Sequence, residues 1–192
     1  MAGSLRAGAT GPDDLPEIFN LLEKYRYTAA LYGDSEEYLG KVDAGKRFVL
    51  DTKTRGDFGG PVHATRQTVV AEGKQSRELL GSGVDVFYLH APDTAMPIEE
   101  TLAGVNEVYK TGFFKRFGLS NYAAEYVEKI YGICKEKGYL LPSVYQGMYE
   151  PVARKQETVL FPTLRKLGMS FFAYSAMAGG FLSKSKQEVL DG

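Results

Sequence analysis

Cysteine occurs once in these 192 residues and histidine twice. A lone Cys134 excludes an internal disulfide, which fits a reducing compartment. It stands beside Ile130 and Ile133 in a helical pattern and reads as a core residue, not a nucleophile. Neither HExxH nor CxxC spacing occurs, so no metal site is expected. No run of about 18 apolar residues is present, so no membrane-spanning helix is expected. The formal net charge of −1 gives no electrostatic pull toward nucleic acid or anionic membrane. Met1–Pro12 is small and Gly-rich and lacks the basic-then-apolar order of a secretory signal. Together these absences predict a cytoplasmic protein.

What remains is ordinary globular material, 44% hydrophobic and 24% charged. The length suits one domain. We expect an irregular segment over residues 1–12 and a single domain over 13–192.

Val84–Pro92 is a short apolar run, rich in β-branched and aromatic residues and closed by proline. It reads as a strand buried on both faces, with His90 at its carboxyl end. Around it the pattern alternates. A helix opens at Pro12, with Ile18, Leu21, Leu22 and Tyr25 on one face. Tyr27–Leu31 reads as a short strand. Gly33–Ser35 reads as a turn that caps, through Asp34 or Ser35, a helix containing Glu36, Glu37 and Leu39. Phe48–Lys53 is a strand, Gly56–Pro61 a loop, and Val62–Leu80 a long helix with Gly73 as a weak point. Beyond the central strand come a helix from Ile98 to Tyr109, a strand Arg116–Ser120, a helix Ala124–Lys137 stopped by Gly138, and a strand Ser143–Gln146. A helix over about Lys155–Leu167, interrupted by Pro162, precedes the strand Ser170–Tyr174. Ala178–Leu182 reads as a glycine loop before a polar tail.

Strands and helices alternating at about 30-residue spacing predict a parallel sheet with right-handed crossovers. The open dinucleotide-binding fold is disfavoured: Gly81-Ser-Gly83 precedes a strand and lacks a third glycine. Polar residues recur at strand ends instead: Tyr32, Lys53, His90, Ser120, Asn121, Gln146 and Ser175. A (β/α) barrel of the TIM type gathers such ends into one mouth. At most six strands are visible against the eight of a closed barrel, so an incomplete barrel is expected.

Three of these groups suit carbonyl chemistry. A free phenol such as Tyr32 has a pKa of ~10 and is a weak donor at neutral pH. An ammonium such as Lys53 beside it stabilises the phenolate. An imidazole at His90 can donate to a carbonyl oxygen and fix its position. Each also has a structural reading: a half-buried aromatic, a solvated lysine, a loop cap. Ser120, Asn121 and Gln146 can hydrogen-bond a carboxamide or serve turn chemistry. Tyr174 can stack on a planar ring or fill a core. Ala178-Gly179-Gly180 allows close backbone approach to a phosphate. His63 reads as a surface residue at a helix start, and Lys184 and Lys186 as a solvated tail or a phosphate clamp.

Tyr32-Gly33, Thr52-Lys53, Leu89-His90, Gly118-Leu-Ser-Asn121, Val144-Tyr-Gln-Gly-Met-Tyr149 and Ala178-Gly-Gly180 occur in the order seen in aldo-keto reductases. The chain resembles the aflatoxin-aldehyde reductase branch of that family from about Leu15 onward. The resemblance implies a (β/α)8 barrel and NADPH-dependent reduction of a small carbonyl substrate. It implies Tyr32 as proton donor, Lys53 as the group that activates it, and His90 as the residue that orients the carbonyl. Ser120, Asn121 and Gln146 would hold the nicotinamide amide and Tyr174 would stack on its ring. Ser175, Met177, Gly179, Gly180 and Lys184 would border the pyrophosphate, and Met148 and Tyr149 would line the substrate side.

Two departures stand out. The family carries an aspartate five residues before the tyrosine; here Tyr27 occupies that place, or else the segment is shortened. Neither the family's first strand nor its last strand–helix unit, which holds the adenosine 2′-phosphate, is recognisable. Two other readings therefore stand beside the reductase: a cofactor-independent acid–base enzyme such as a cyclase or dehydratase, and a non-catalytic remnant. Open sheet edges predict self-association into a homo-oligomer under all three.

Overall fold

The computed structural model describes residues 25–56, 58 and 62–191. The helix expected from Pro12 and the irregular start lie outside these residues, except that Tyr25 belongs to a strand. Six parallel strands run in chain order: β1 (Tyr25–Tyr27), β2 (Val49–Lys53), β3 (Val84–Leu89), β4 (Phe114–Ser120), β5 (Pro142–Met148) and β6 (Ser170–Tyr174). Between them lie α1 (Ser35–Lys41), α2 (Ala44–Arg47), α3 (Arg66–Leu80), α4 (Ile98–Lys110), α5 (Ala124–Lys137), α6 (Gln156–Val159) and α7 (Phe161–Leu167). A 3-10 turn (Ala178–Ser183) and α8 (Lys186–Asp191) follow. Sequential parallel order with helical crossovers is the arrangement of a (β/α) barrel wall, here six strands of it.

The outward residues of the strands carry the main core. Leu50, Phe87, Leu89, Phe117, Leu119 and Tyr145 pack against Leu39, Val69, Leu102, Val105, Ile130 and Leu164 of the helices. Each such side chain contributes about 1.5–3 kcal/mol relative to exposure. The inward face holds a smaller cluster, Val86, Tyr88 and Val144 with Phe172 beside it. No helix among the described residues is long and apolar enough to cross a membrane.

Several expectations shift. The first strand lies at Tyr25–Tyr27, not 27–31, because pairing to β2 sets it: Tyr25 is opposite Val49 and Tyr27 opposite Asp51. The edge bonding continues irregularly, through Thr28 N–H to Asp51 O at 2.9 Å and Ala30 N–H to Lys53 O at 3.1 Å. The long helix starts at Arg66 because Thr65 caps it, accepting the Thr68 N–H at 3.1 Å. Asp34 takes the N-cap position of α1, yet its side chain makes no capping bond. The α2 turn was not anticipated. Pro162 splits the late helix into α6 and α7, and sits in the first turn of the second, where its missing N–H costs nothing. The polar tail contains α8.

Gly73 is a packing site, not a weak point. A Cβ there would stand 2.8 Å from both γ-carbons of Val108, so the missing side chain lets α3 meet α4. Gly118 is tighter still. Its Cβ would lie 2.3 Å from the Tyr88 ring. Gly118→Ala is therefore expected to cost about 1–3 kcal/mol in urea denaturation. An unchanged midpoint would mean that the Tyr88 ring moves aside freely.

Candidate functional site

Three strand ends bring the phenol, amine and imidazole together. Tyr32 lies on the turn after β1, Lys53 is the last residue of β2, and His90 follows β3. The Tyr32 and His90 rings meet edge to face, centroids 5.6 Å apart. The Lys53 ammonium is 5.2 Å from the Tyr32 ring centre. Tyr32, His90, Ser120, Asn121, Gln146, Tyr174 and Ser175 share the wall of one cavity of about 230 Å³. Tyr27 and Phe58 complete that wall, and the Phe58 ring lies edge-on to His90 at 4.9 Å. Among the described residues no charged side chain lines it; Lys53, near the Tyr32 ring, is only 1% exposed.

Lys53 is held by a backbone group. Its ammonium donates to the Thr28 carbonyl at 2.9 Å and faces the Tyr27 ring at 4.6 Å. Tyr27 thus meets the ammonium with a ring face. Burial pushes the Lys53 amine down to about 7, against the opposing pull of the Asp51 and Glu36 carboxylates. Burial also raises Asp51 to about 7.

His90 is 6% exposed, and its Nδ1 has no hydrogen-bond partner among the described residues. Burial first, and the Lys53 charge second, push the imidazole down to about 4. It is neutral at pH 7. Because the unfolded chain binds this proton near pH 6.5, the linked stability is complete above 6.5 and is lost as pH falls toward 4. His90→Gln should flatten the stability–pH curve across that window, by on the order of 3 kcal/mol at its acid end. Urea midpoints at pH 4.5 and 7 measure this; parallel curves for parent and variant would contradict it.

Asn121 has a left-handed backbone, φ 65°. Its amide donates to the His90 carbonyl at 2.8 Å and to Ser120 Oγ at 3.1 Å, and its Oδ1 accepts the Tyr174 hydroxyl at 3.1 Å. It therefore ties the ends of β3, β4 and β6 together. Ser120 and Gln146 are buried at the same rim.

Other expected residues stand apart. Met148 lines a neighbouring cavity of about 540 Å³ that shares Asn121 and Tyr174 with the first. The Tyr149 hydroxyl donates to Glu157 at 2.5 Å, and its ring packs on Phe161 and Phe171. Met177, Gly179, Gly180 and Lys184 lie outside the Tyr32 cavity wall. Gly179 and Gly180 have positive φ, but the Ala178 and Gly180 N–H groups already bond to Ser175 O and Met177 O. His63 precedes α3 instead of starting it and has a partner, Asp93, at 3.1 Å from its Nδ1. Among the described residues no group of three His, Cys, Asp or Glu could hold a metal ion.

Sequence reasoning missed Phe58, Asp51 and the Thr28 carbonyl. Asp51 left a signal: a carboxylate two residues before a lysine on one strand shares its face.

A sequential parallel sheet with helices on its outer side and a polar cavity at the carboxyl ends of its strands defines a (β/α)-barrel protein of the kind that carries enzyme sites at that rim. The chain belongs to the aldo/keto reductase family, whose model matches residues 24–191. It is 41% identical over 180 residues to "Oxidoreductase sirO" of Leptosphaeria maculans, covering 90% of this chain and 54% of that protein. It is 41% identical over 173 residues to human "Aldo-keto reductase family 7 member A3", covering 86% and 52%. Over 110 residues it is 52% identical to human "Aflatoxin B1 aldehyde reductase member 4", covering 57% and 33%. The chain thus spans about half the length of the first two of these relatives.

Proposed function

We propose that this chain reduces an aldehyde or ketone to an alcohol with NADPH, Tyr32 acting as proton donor. One observation carries the reading: Tyr32 and His90, from two separate segments, line one 230 Å³ cavity, and Lys53, from a third, places its ammonium 5.2 Å from the Tyr32 ring. Family membership and relatives named as an oxidoreductase and an aldehyde reductase support it.

The residues present suit a nicotinamide. Ser120 and Gln146 offer neutral donors and acceptors to a carboxamide, and Tyr174 offers a ring face already steadied by Asn121. The buried, unpartnered His90 Nδ1 marks a place where a polar group belongs. Bound there, NADPH supplies the hydride that reduces the carbonyl carbon. The protein's own groups handle the oxygen. The neutral His90 imidazole donates a hydrogen bond to it and positions it. Tyr32 then protonates the developing alkoxide. The Lys53 ammonium steadies the phenolate left behind. The rings of Tyr27, Phe58 and Tyr174 line the same cavity. We place the protein in the cytoplasm and expect self-association through the β1 and β6 edges, which are unpaired among the described residues.

The test is titration of the purified protein with NADPH, followed by NADPH consumption against a panel of aldehydes. Saturable binding and aldehyde-dependent consumption are expected. No binding at millimolar NADPH would end the proposal. A product of unchanged oxidation state, formed without nicotinamide, would select acid–base chemistry instead.

A further inference from the structure

The Lys53 ammonium is buried with a carbonyl and three rings as its close neighbours. The rings of Tyr27, Tyr32 and Tyr88 stand at 4.6, 5.2 and 5.7 Å, and the Thr28 carbonyl at 2.9 Å. None of these carries net charge, and a buried ammonium without net negative charge nearby sheds its proton. Two buried carboxylates are near enough to act. Glu36 is spent on the other side of β2, where it accepts from Thr52 at 2.5 Å and Ser76 at 3.1 Å. Thr52 alternates with Lys53 along the strand, so it faces the opposite side of the sheet.

Asp51 shares the Lys53 face, two residues earlier, and is 5% exposed. One of its oxygens accepts the Val86 N–H at 3.0 Å. The other accepts the Tyr88 hydroxyl at 3.4 Å, and the ring of that same tyrosine faces the ammonium. Tyr88 thus joins the two charges, hydroxyl to one and ring to the other. Gly118 makes room for the Tyr88 ring in this place.

We infer that Asp51 is the counter-charge that keeps Lys53 an ammonium near the Tyr32 ring, acting on catalysis as a positioning residue through that lysine. The consequence for turnover rests on the carbonyl-reduction reading; the electrostatics do not. Other charged groups do not displace it. Arg116 and Asp85, which also face Asp51, form an ion pair and largely cancel each other. His90 is neutral. A structural role competes: β2–β3 pairing begins at Thr52 opposite Phe87, and the Asp51 carboxylate takes the Val86 N–H just before it. Asparagine preserves that acceptor and removes the charge, so Asp51→Asn separates the two roles.

The experiment is NMR titration of the full chain with 13Cε-labelled lysine, in the parent, Asp51→Asn and Glu36→Gln. The Lys53 midpoint is expected to fall by about one pH unit or more in Asp51→Asn, and by less in Glu36→Gln. The alkaline limb of kcat should move to lower pH by the same amount, with turnover retained on the acid side. A purely structural role predicts loss of turnover at every pH with an unmoved Lys53 midpoint, and that result overturns the inference. Should Asp51→Asn fail to fold, the parent decides: the Asp51 13Cγ signal must show an inflection shared with Lys53, and independent titrations refute the pairing. Moved midpoints without NADPH-dependent reduction would sink the functional reading alone. Reduction with an unmoved midpoint would sink this one alone.

Discussion

Tyr32→Phe is expected to lower turnover by about 10²–10⁴-fold while NADPH affinity changes by less than about threefold. The substitution keeps the ring, and with it the edge contact to His90 at 5.6 Å and the face 5.2 Å from the Lys53 ammonium. Only the hydroxyl, the proposed proton donor, is removed. In the proposed reading binding would rest on groups that remain at the cavity wall: Ser120, Gln146 and the Tyr174 ring. The loss should therefore fall on kcat, not on cofactor binding. Steady-state kinetics with one aldehyde, and a fluorescence titration with NADPH, measure the two sides. Unchanged kcat would remove Tyr32 from the mechanism, whatever the cavity looks like.

Lys53→Met should cost turnover on a similar scale and yet not cost stability. Methionine keeps the unbranched stem and discards an ammonium that the fold must desolvate. The sign follows from the depressed amine. In the folded chain it holds its proton only below about 7, while the unfolded chain holds it to about 10.5. Parent stability therefore rises between those values and is lowest where the ammonium is buried. Relative to the parent, the variant should gain most below pH 7, by up to about 2 kcal/mol, and lose that advantage toward pH 10. The freed Asp51 does not cancel the gain at pH 6, because once the ammonium is gone burial favours its neutral acid. Urea denaturation at pH 6 and pH 9 reads the difference. A variant less stable than the parent at pH 6 would show that the ammonium's bond to the Thr28 carbonyl outweighs its desolvation.

The two substitutions together describe a site that the fold tolerates at a cost. Burial moves Lys53 and Asp51 to about 7 from opposite sides, and His90 to about 4. Such clusters mark functional sites more often than structural ones. The rigid support comes from Asn121, whose amide links three strand ends and whose strained backbone persists because those bonds hold it.

Much of this was legible before the structure. The Val84–Leu89 run, the helix ending at Gly138 and the strand Ser170–Tyr174 all follow from local pattern. The site residues at strand ends were legible as types: a tyrosine after one strand, a lysine and a histidine closing others. Positions set by partners were not. The first strand was misplaced because pairing with β2, not local propensity, sets where it runs. The α3 start was misread because Val62–Thr65 is apolar enough to continue a helix, while Asp93, far along the chain, accepts the Ala64 N–H at 2.8 Å and holds the segment extended. Asp51 is not fully legible in the sequence, because a strand carboxylate looks solvated until its burial is known.

Local order, then, belongs to the amino-acid sequence by itself: six strands, most of the helices between them, and the polar residues that close each strand. Periodicity and chain-breaking residues are properties of neighbours, so they can be read in one dimension. Tertiary structure alone decided which of those closing residues share a cavity, why Met148 and Tyr149 fall outside it, and which carboxylate faces the lysine. Those outcomes depend on strand register and on burial, and both are set by contacts between segments tens of residues apart.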